Sequence, residues 1–206
     1  MTSPLTVTVG LASRNAGKVR EIMSILRAAG VSSVVVETAD AFAGWVAPEE
    51  TEPDYAGNAL LKARSLAAFA GVAALADDSG IEVDALGGAP GPRSARYAGP
   101  HATDLANLAL LIDAVRDVAP SARTARYRCV AVLVSPSGAI DLAEGSVEGT
   151  LITEPRGNGG FGYDPIFVPA GETRTMAELS PEEKDAISHR GKAFRALVPA
   201  LARLAE

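Results

Sequence analysis

Short apolar segments alternate along this chain with stretches of helical periodicity, and together they predict an α/β fold. Alternating valine and threonine from Leu5 to Leu11 predict a first strand, and the run Val34-Val35-Val36 begins a second. Between these strands, apolar residues recur with the spacing of an amphipathic helix that Gly30 ends: Val19, Ile22, Met23 and Leu26.

The later segments add an antiparallel part to the sheet. A helix is predicted from about Tyr55 to Ala70, and another from Thr103-Asp104 to a point before Pro120. Residues 126–134 and 139–151 are predicted as antiparallel strands joined at Pro136-Ser137-Gly138. The sheet is therefore predicted to be mixed.

Two helices are predicted near the end of the chain. Ser180-Pro181-Glu182-Glu183 has the form of a capping box with proline at the first helical position. The segment 188–191 is predicted to interrupt that helix, because its serine can cap a new helix and its glycine weakens a helix interior. A final amphipathic helix carries a set of apolar residues: Phe194, Leu197, Val198, Leu201 and Leu204.

The acidic pair Asp77-Asp78 follows the apolar run 72–76 and precedes Ser79-Gly80. We interpret the run as a buried strand that ends at the pair, which would place both carboxylates at the edge of the sheet where α/β proteins bind ligands. Two neighbouring carboxylates repel one another, so a cation such as Mg²⁺ is expected to compensate them. The alternative is a turn in which Asp78 bonds to the backbone of Ser79-Gly80.

Composition and charge narrow the classes of protein. With 206 residues, of which 48% are hydrophobic, the chain can bury a sizeable core, and we expect a single domain over residues 1–206. The net charge of −6 argues against general attraction to nucleic acid. The single Cys129 lies in an apolar run and is expected to be a buried thiol. Because no signal peptide and no apolar stretch of about 18 residues is present, we expect a soluble, cytoplasmic protein that binds no membrane.

The turn between the first strand and the first helix has features of a phosphate site. It offers small residues, the cation Lys18 and the amides of a helix N-terminus, which favour phosphate. It is not a complete P-loop, because Ala12 stands where the first glycine belongs and Val19 replaces the Mg²⁺-binding hydroxyl. An ordinary P-loop ATPase is therefore disfavoured, and a turn with a solvated Lys18 is the alternative.

Three further segments carry candidate chemistry. The loop 48–54 is acidic and could supply a second metal ligand, with a solvated turn as the alternative. Phe161 lies among glycines and could stack on a planar ligand, whereas a lone phenylalanine more often lies in a core. Lys184 and His189-Arg190 could donate hydrogen bonds to a base edge, or could be ordinary cations near a helix C-terminus.

Six segments, taken together and in this order, resemble one protein family. They are Ser13-Arg14-Asn15-Ala16-Gly17-Lys18, Asn58-Ala59-Leu60-Leu61-Lys62-Ala63, Ala76-Asp77-Asp78-Ser79-Gly80, residues 87–92, Phe161-Gly162-Tyr163-Asp164 and Ser188-His189-Arg190. The family is that of the noncanonical purine nucleoside triphosphate pyrophosphatases, which includes the dITP/XTP and the inosine triphosphate pyrophosphatases. The resemblance extends from Val7 to about Leu197.

The resemblance implies an activity and an architecture. The activity is hydrolysis of ITP, dITP or XTP between the α- and β-phosphates, which releases pyrophosphate and a nucleoside monophosphate. Mg²⁺ is implied as the cofactor and a homodimer as the assembly. The implied fold is an elongated mixed sheet flanked by helices, in two lobes with a central substrate cleft.

The resemblance also implies a role for each matching residue. Asp78 matches a general base that is also a metal-linked carboxylate, and Glu50 is the best match for a second metal-linked acid, with Glu49 or Glu52 as alternatives. Lys62 is implied to add positive charge at the phosphates during catalysis. The residues implied to bind substrate are Ser13, Arg14, Asn15, Ala16, Gly17 and Lys18 at the phosphates, Ser79, and Phe161, Gly162, Tyr163, Asp164, Lys184, His189 and Arg190 at the base.

Three other functions compete with this one. A nucleotide-binding regulator without turnover would need Lys18 and Phe161 but not the acidic pair. A pyrophosphatase of pyrimidine or modified nucleotides would have a similar fold, although the segments 161–164 and 188–190 argue for purines. A phosphotransferase that uses ATP is weakened by the incomplete P-loop.

Overall fold

A computed structural model describes residues 6–205, and its helices and first five strands follow the predicted order. The strands are β1 Val7–Leu11, β2 Val34–Thr38, β3 Ala73–Val83, β4 Thr124–Val134, β5 Ile140–Leu151 and β6 Phe167–Pro169. The helices are α1 Ala16–Ala28, α2 Tyr55–Ala70, α3 Asp104–Val115, α4 Pro181–Ile187 and α5 His189–Arg203. The predicted start of the first strand at Leu5 lies outside the described residues.

The six strands form one mixed sheet in the order β2-β1-β3-β4-β5-β6. Strand β1 pairs in parallel with β2, where Val7 lies opposite Val34, and with β3, where Val9 lies opposite Ala73. Strands β5 and β6 are antiparallel. The predicted mixed α/β fold is therefore confirmed.

Local sequence signals account for the helix boundaries. Asp54 caps α2, because its carboxylate accepts from the Gly57 amide at 2.7 Å, and Gly71 ends the helix in the left-handed region. The predicted capping box at the start of α4 is confirmed, with the Ser180 and Glu183 side chains each bonded to the other residue's backbone amide. A break between α4 and α5 is confirmed at Ser188, but the predicted interruption over 188–191 is too long, because residues 189–191 are already helical and belong to α5.

Strand β3 corrects the interpretation of the acidic pair. It continues for 11 residues through Asp77-Asp78 and Ser79-Gly80 to Val83, so the pair lies within the strand. Both the predicted position at a strand end and the alternative turn are wrong. The physical reason is that Ile81 and Val83 are completely buried, and this tertiary burial outweighs the local tendency of Ser-Gly to end a strand.

The chain forms two compact units. The first comprises the residues up to 78, residues 129–145 and the residues from 190 onward, and the second comprises residues 79–128 and 146–189. The prediction of a single domain over the whole chain is not tested by this division and stays a prediction.

The first unit has hydrophobic clusters on both faces of its strands. Because side chains alternate along a strand, Leu75 packs in a cluster with residues of α1 and α5, whereas Ala74 and Ala76 pack with residues of α2. Cys129 belongs to the cluster with Leu75, as a free and buried thiol, and burial raises the pKa of that thiol. The predicted burial of this cysteine is confirmed.

The second unit has a core of its own. Ile81 and Val83 of β3 pack with Leu111 and Val115 of α3, and this cluster also holds several aromatic residues: Tyr127, Tyr163 and Phe167. Among residues 6–205, no helix combines the length and the apolar character that crossing a membrane requires.

Candidate active site

The acidic pair organises the candidate site residues of the first unit. Because neighbouring residues of a strand point to opposite faces, the side chain of Asp77 contacts residues of α1 and α5, whereas that of Asp78 contacts α2. The two carboxylates therefore have different partners. They do not form a symmetric dyad.

Asp77 is a buried carboxylate between two cations. Its Oδ1 accepts from Lys18 Nζ at 2.6 Å, and its Oδ2 accepts from Arg190 Nε at 3.1 Å. Burial by itself would raise the pKa of Asp77, but the charges of Lys18 and Arg190 lower it well below its ordinary value. The carboxylate therefore stays ionised and holds the two cations in place.

Asp78 is held by two residues of α2. Its Oδ2 accepts from Asn58 Nδ2 at 3.0 Å, and its Oδ1 lies 3.9 Å from Lys62 Nζ. The Lys62 ammonium also donates to the backbone oxygen of Asp77 and to Glu50 Oε1, both at 2.7 Å. Lys62 thus brings Glu50, among the acids of the loop 48–54, to the acidic pair.

Asn58 belongs to this group although sequence reasoning did not select it as a site residue. It is completely buried, and its side-chain oxygen accepts from the Glu52 amide at 3.0 Å while its amide nitrogen binds Asp78. One side chain therefore joins the acidic loop to the carboxylate. The spacing of four residues from Lys62 on one helix was the available signal.

The turn before α1 has its own internal bonds. Asn15 caps the helix, with Oδ1 accepting from the Gly17 amide at 2.8 Å, and Ser13 Oγ accepts from the Asn15 amide at 3.2 Å. Arg14 forms an exposed ion pair with Asp40, and Ala16 is the first residue of the helix. The alternative of a solvated Lys18 is wrong, because that side chain is 18% exposed and bonded to Asp77.

The carboxylate oxygens of the first unit are suited to bind a hard divalent cation that also binds phosphate. Three cations and three carboxylates form a formally neutral group: Lys18, Lys62, Arg190, Glu50, Asp77 and Asp78. A polyphosphate bound there would need further positive charge. Mg²⁺ typically takes one or two protein carboxylates and completes its shell with phosphate oxygens and water. Within residues 6–205, no group of three or more His, Cys, Asp or Glu side chains is arranged so that it could by itself hold a metal ion.

The second unit brings together most of the residues predicted at the base. Phe161 is 64% exposed, so the alternative of a core position is wrong. Lys184 Nζ lies 4.8 Å from the centroid of its ring. The same ammonium forms an ion pair with Asp164, whose Oδ2 accepts from the Phe161 amide at 2.9 Å.

The remaining predicted residues have different surroundings. The Gly162 amide donates to Asp104 Oδ2 at 3.2 Å, and the buried Tyr163 donates to the backbone oxygen of Ser94 at 2.8 Å. Ser79 and His189 also lie in the second unit, whereas Arg190, which was predicted at the base, lies in the first unit on Asp77.

The chain is similar to known proteins over nearly its whole length. A model of the Ham1 family matches residues 9–200. The dITP/XTP pyrophosphatase of Streptomyces coelicolor is 54% identical over 194 residues, which cover 94% of this chain and 96% of that protein. The structure of a HAM1 protein from Coxiella burnetii is similar with a TM-score of 0.88 and 40% identity, over 96% of this chain and all of that one. A nucleoside-triphosphatase, or dITP/XTP pyrophosphatase, from Mycobacterium abscessus is similar with a TM-score of 0.79 and 43% identity, over 94% of this chain and all of that one.

Proposed function

The chain belongs to the Ham1 family, and from this membership and the geometry of the acidic pair we propose that it hydrolyses noncanonical purine nucleoside triphosphates. The substrates are ITP, dITP and XTP, and the products are pyrophosphate and the nucleoside monophosphate. The observation that carries the proposal is the joining of Lys18, Lys62 and Glu50 to Asp77-Asp78.

The cations of the first unit are suited to the phosphates. An ammonium has three donors, and the bond from Lys18 to Asp77 uses one of them, so this side chain can also bind a phosphate oxygen. Lys62 lies beside Asp78 and adds positive charge where the α-phosphorus is attacked. The turn Ser13–Gly17 supplies the remaining proposed contacts with the phosphates. Ser79 is proposed to touch the substrate.

Asp78 is the proposed general base. Asn58 donates to Oδ2 and so orients the carboxylate, and Oδ1, which lies 3.9 Å from Lys62 Nζ, is the atom proposed to take a proton from water. Glu50 and Asp78 are the proposed ligands of Mg²⁺, which when bound supplies charge neutralisation at the phosphates and at the leaving pyrophosphate. A general base contributes about 10²–10⁴-fold, so phosphate positioning and charge neutralisation must supply much of the rest.

The residues of the second unit are the proposed binding group for the base. The exposed Phe161 ring is suited to stack on a purine. Hypoxanthine and xanthine present an acceptor at O6, which suits the Lys184 ammonium and backbone amides. Adenine presents a donor at the same position, so two donors would face each other, and such a mismatch can discriminate by about 10⁴-fold. We also place Arg190 in the substrate site, held by Asp77.

A product assay tests the proposal. The purified protein is offered ITP, dITP, XTP, GTP, ATP and dUTP with Mg²⁺, and the products are identified by chromatography. We expect pyrophosphate and monophosphate from ITP, dITP and XTP, and loss of turnover with EDTA that Mg²⁺ restores. Orthophosphate release, or equal turnover of ATP, contradicts the proposal. Preference for dUTP supports the pyrimidine enzyme, and binding without turnover supports the regulator.

The base assignment has a test of its own. Asp78→Asn keeps the shape of the side chain but removes the proton acceptor, so we expect turnover of ITP to fall by about 10²–10⁴-fold with nucleotide binding retained. Calorimetric titration with ITP measures the binding. Full turnover in this variant would remove Asp78 as the base. The homodimer, which the family resemblance implies, and the cytoplasmic location, which the sequence features led us to expect, stay predictions.

A further inference from the structure

Tyr127 of β4 is a buried residue of the second unit to which the proposed function assigns no role. Its ring packs against the completely buried ring of Phe167, with 4.7 Å between the centroids and a tilt of 55°. The Tyr127 ring is therefore held by the core of the second unit. Thr124, on the same strand, is by contrast exposed, and its hydroxyl donates to Asp84 at 2.6 Å.

One side chain of this strand contacts two of the residues assigned to the base. The Tyr127 hydroxyl donates to Asp164 Oδ1 at 3.0 Å. Its ring is stacked with the imidazole of His189, with 5.0 Å between the centroids and 10° between the planes. Asp164 and His189 lie on different elements, and Tyr127 connects them.

Asp164 in turn links Tyr127 to two further residues assigned to the base, Phe161 and Lys184. Its second oxygen, Oδ2, accepts from the Phe161 amide and forms the ion pair with Lys184. Burial raises the pKa of Tyr127, and the negative charge of Asp164 raises it further, so the phenol keeps its proton at neutral pH. The hydroxyl is thus a permanent donor to a carboxylate that binds both Phe161 and Lys184.

We propose that Tyr127 is a positioning residue for base recognition. It holds Asp164, and through it Phe161 and Lys184, with its hydroxyl, and it holds His189 with its ring. A group fixed before the substrate arrives has less conformational entropy to lose on binding, so the expected consequence is a lower KM. This role rests on the proposed function, because it concerns the same site.

The test separates the hydroxyl from the ring. Tyr127→Phe keeps the stacking with His189 but leaves the Asp164 oxygen without this donor, and we expect KM for ITP to rise about tenfold with kcat changed by less than about twofold. Tyr127→Leu also removes the stacking, and a larger rise in KM is expected. Thr124→Val is the matched control, because it removes from the same strand another hydroxyl that donates to a carboxylate, that of Asp84. The KM of this variant should be unchanged.

A second measurement follows the proposed connection directly. Amide hydrogen exchange over residues 157–164, read by mass spectrometry without nucleotide, should become faster in Tyr127→Phe and not in Thr124→Val. An unchanged KM in Tyr127→Phe, or a fall in kcat alone, overturns the role of Tyr127 while leaving the proposed function intact. Absence of ITP hydrolysis in the unaltered protein overturns the proposed function, and the role of Tyr127 falls with it.

Discussion

The carboxylate of Asp77 offers a quantitative test of how the first unit holds its cations. In Asp77→Asn, the shape of the side chain and one accepting oxygen are kept, but the negative charge between Lys18 and Arg190 is lost. The Asp77 side chain is 2% exposed, and those of Lys18 and Arg190 are 18% and 15% exposed, so solvent screens these ion pairs weakly.

The magnitude follows from this burial. Removing one partner of a buried ion pair typically costs 3–5 kcal/mol, and we expect about 3 kcal/mol because asparagine still accepts one hydrogen bond. With an m-value of roughly 2 kcal/mol/M, the midpoint of urea unfolding at pH 7 should fall by about 1.5 M. Asp40→Asn is the matched control, because the Arg14–Asp40 pair at 3.3 Å is mostly exposed and is expected to contribute less than about 1 kcal/mol.

The dependence on pH gives the sign of the effect. Burial would raise the pKa of Asp77, but Lys18 and Arg190 lower it below its ordinary value of 3.8. A carboxyl whose pKa is lower in the folded state stabilises the fold above its unfolded pKa, and this contribution is lost as the pH falls through the folded value. The difference in the free energy of unfolding between the unaltered protein and Asp77→Asn should stay constant from about pH 8 to 5 and should narrow only below about pH 4.

Urea unfolding followed by circular dichroism, at several pH values, measures these differences. A loss below about 1 kcal/mol at pH 7 would show that the buried pairs contribute no more than exposed ones. A difference that already narrows between about pH 7 and 5 would contradict the lowered pKa.

Two further predictions concern the second unit. Phe161→Ala should raise KM for ITP by about tenfold, because stacking of a base on an aromatic ring contributes about 1–3 kcal/mol. Phe69→Ala is the control, because it removes another exposed ring and should leave KM unchanged. Steady-state kinetics measures both values, and an unchanged KM for Phe161→Ala argues against stacking. Gly160→Ala places a Cβ on the Asp164 carboxylate at a φ of +72°, and it should raise KM as well as lower stability. Gly87 has a similar φ of +63° with open space around it, so Gly87→Ala is the control. Thermal unfolding should show only the backbone strain of about 1–2 kcal/mol in this variant, and its kinetic constants should be unchanged. Equal KM values in the two glycine variants would contradict the role of Gly160.

The sequence by itself determined most of the local structure. The period of the apolar residues predicted α2 with its observed bounds. The sequence Ser180-Pro181-Glu182-Glu183 predicted the capping box of α4, and Ser188 predicted a break after that helix, because these signals involve residues within a few positions of one another. The resemblance of six short segments also identified the family, the activity and the candidate residues.

The tertiary structure decided which candidates meet. Asp77 lies 59 residues from Lys18 and 113 residues from Arg190, and the parallel pairing of β1 with β3 joins the strand that precedes α1 to the strand that carries Asp77. The burial of Ile81 and Val83 likewise extended β3 past the acidic pair, and alternation along that strand then gave the two carboxylates different partners. Local sequence patterns cannot predict the contacts of Asp77 or the length of β3, because strand pairing and burial depend on residues far apart in the chain.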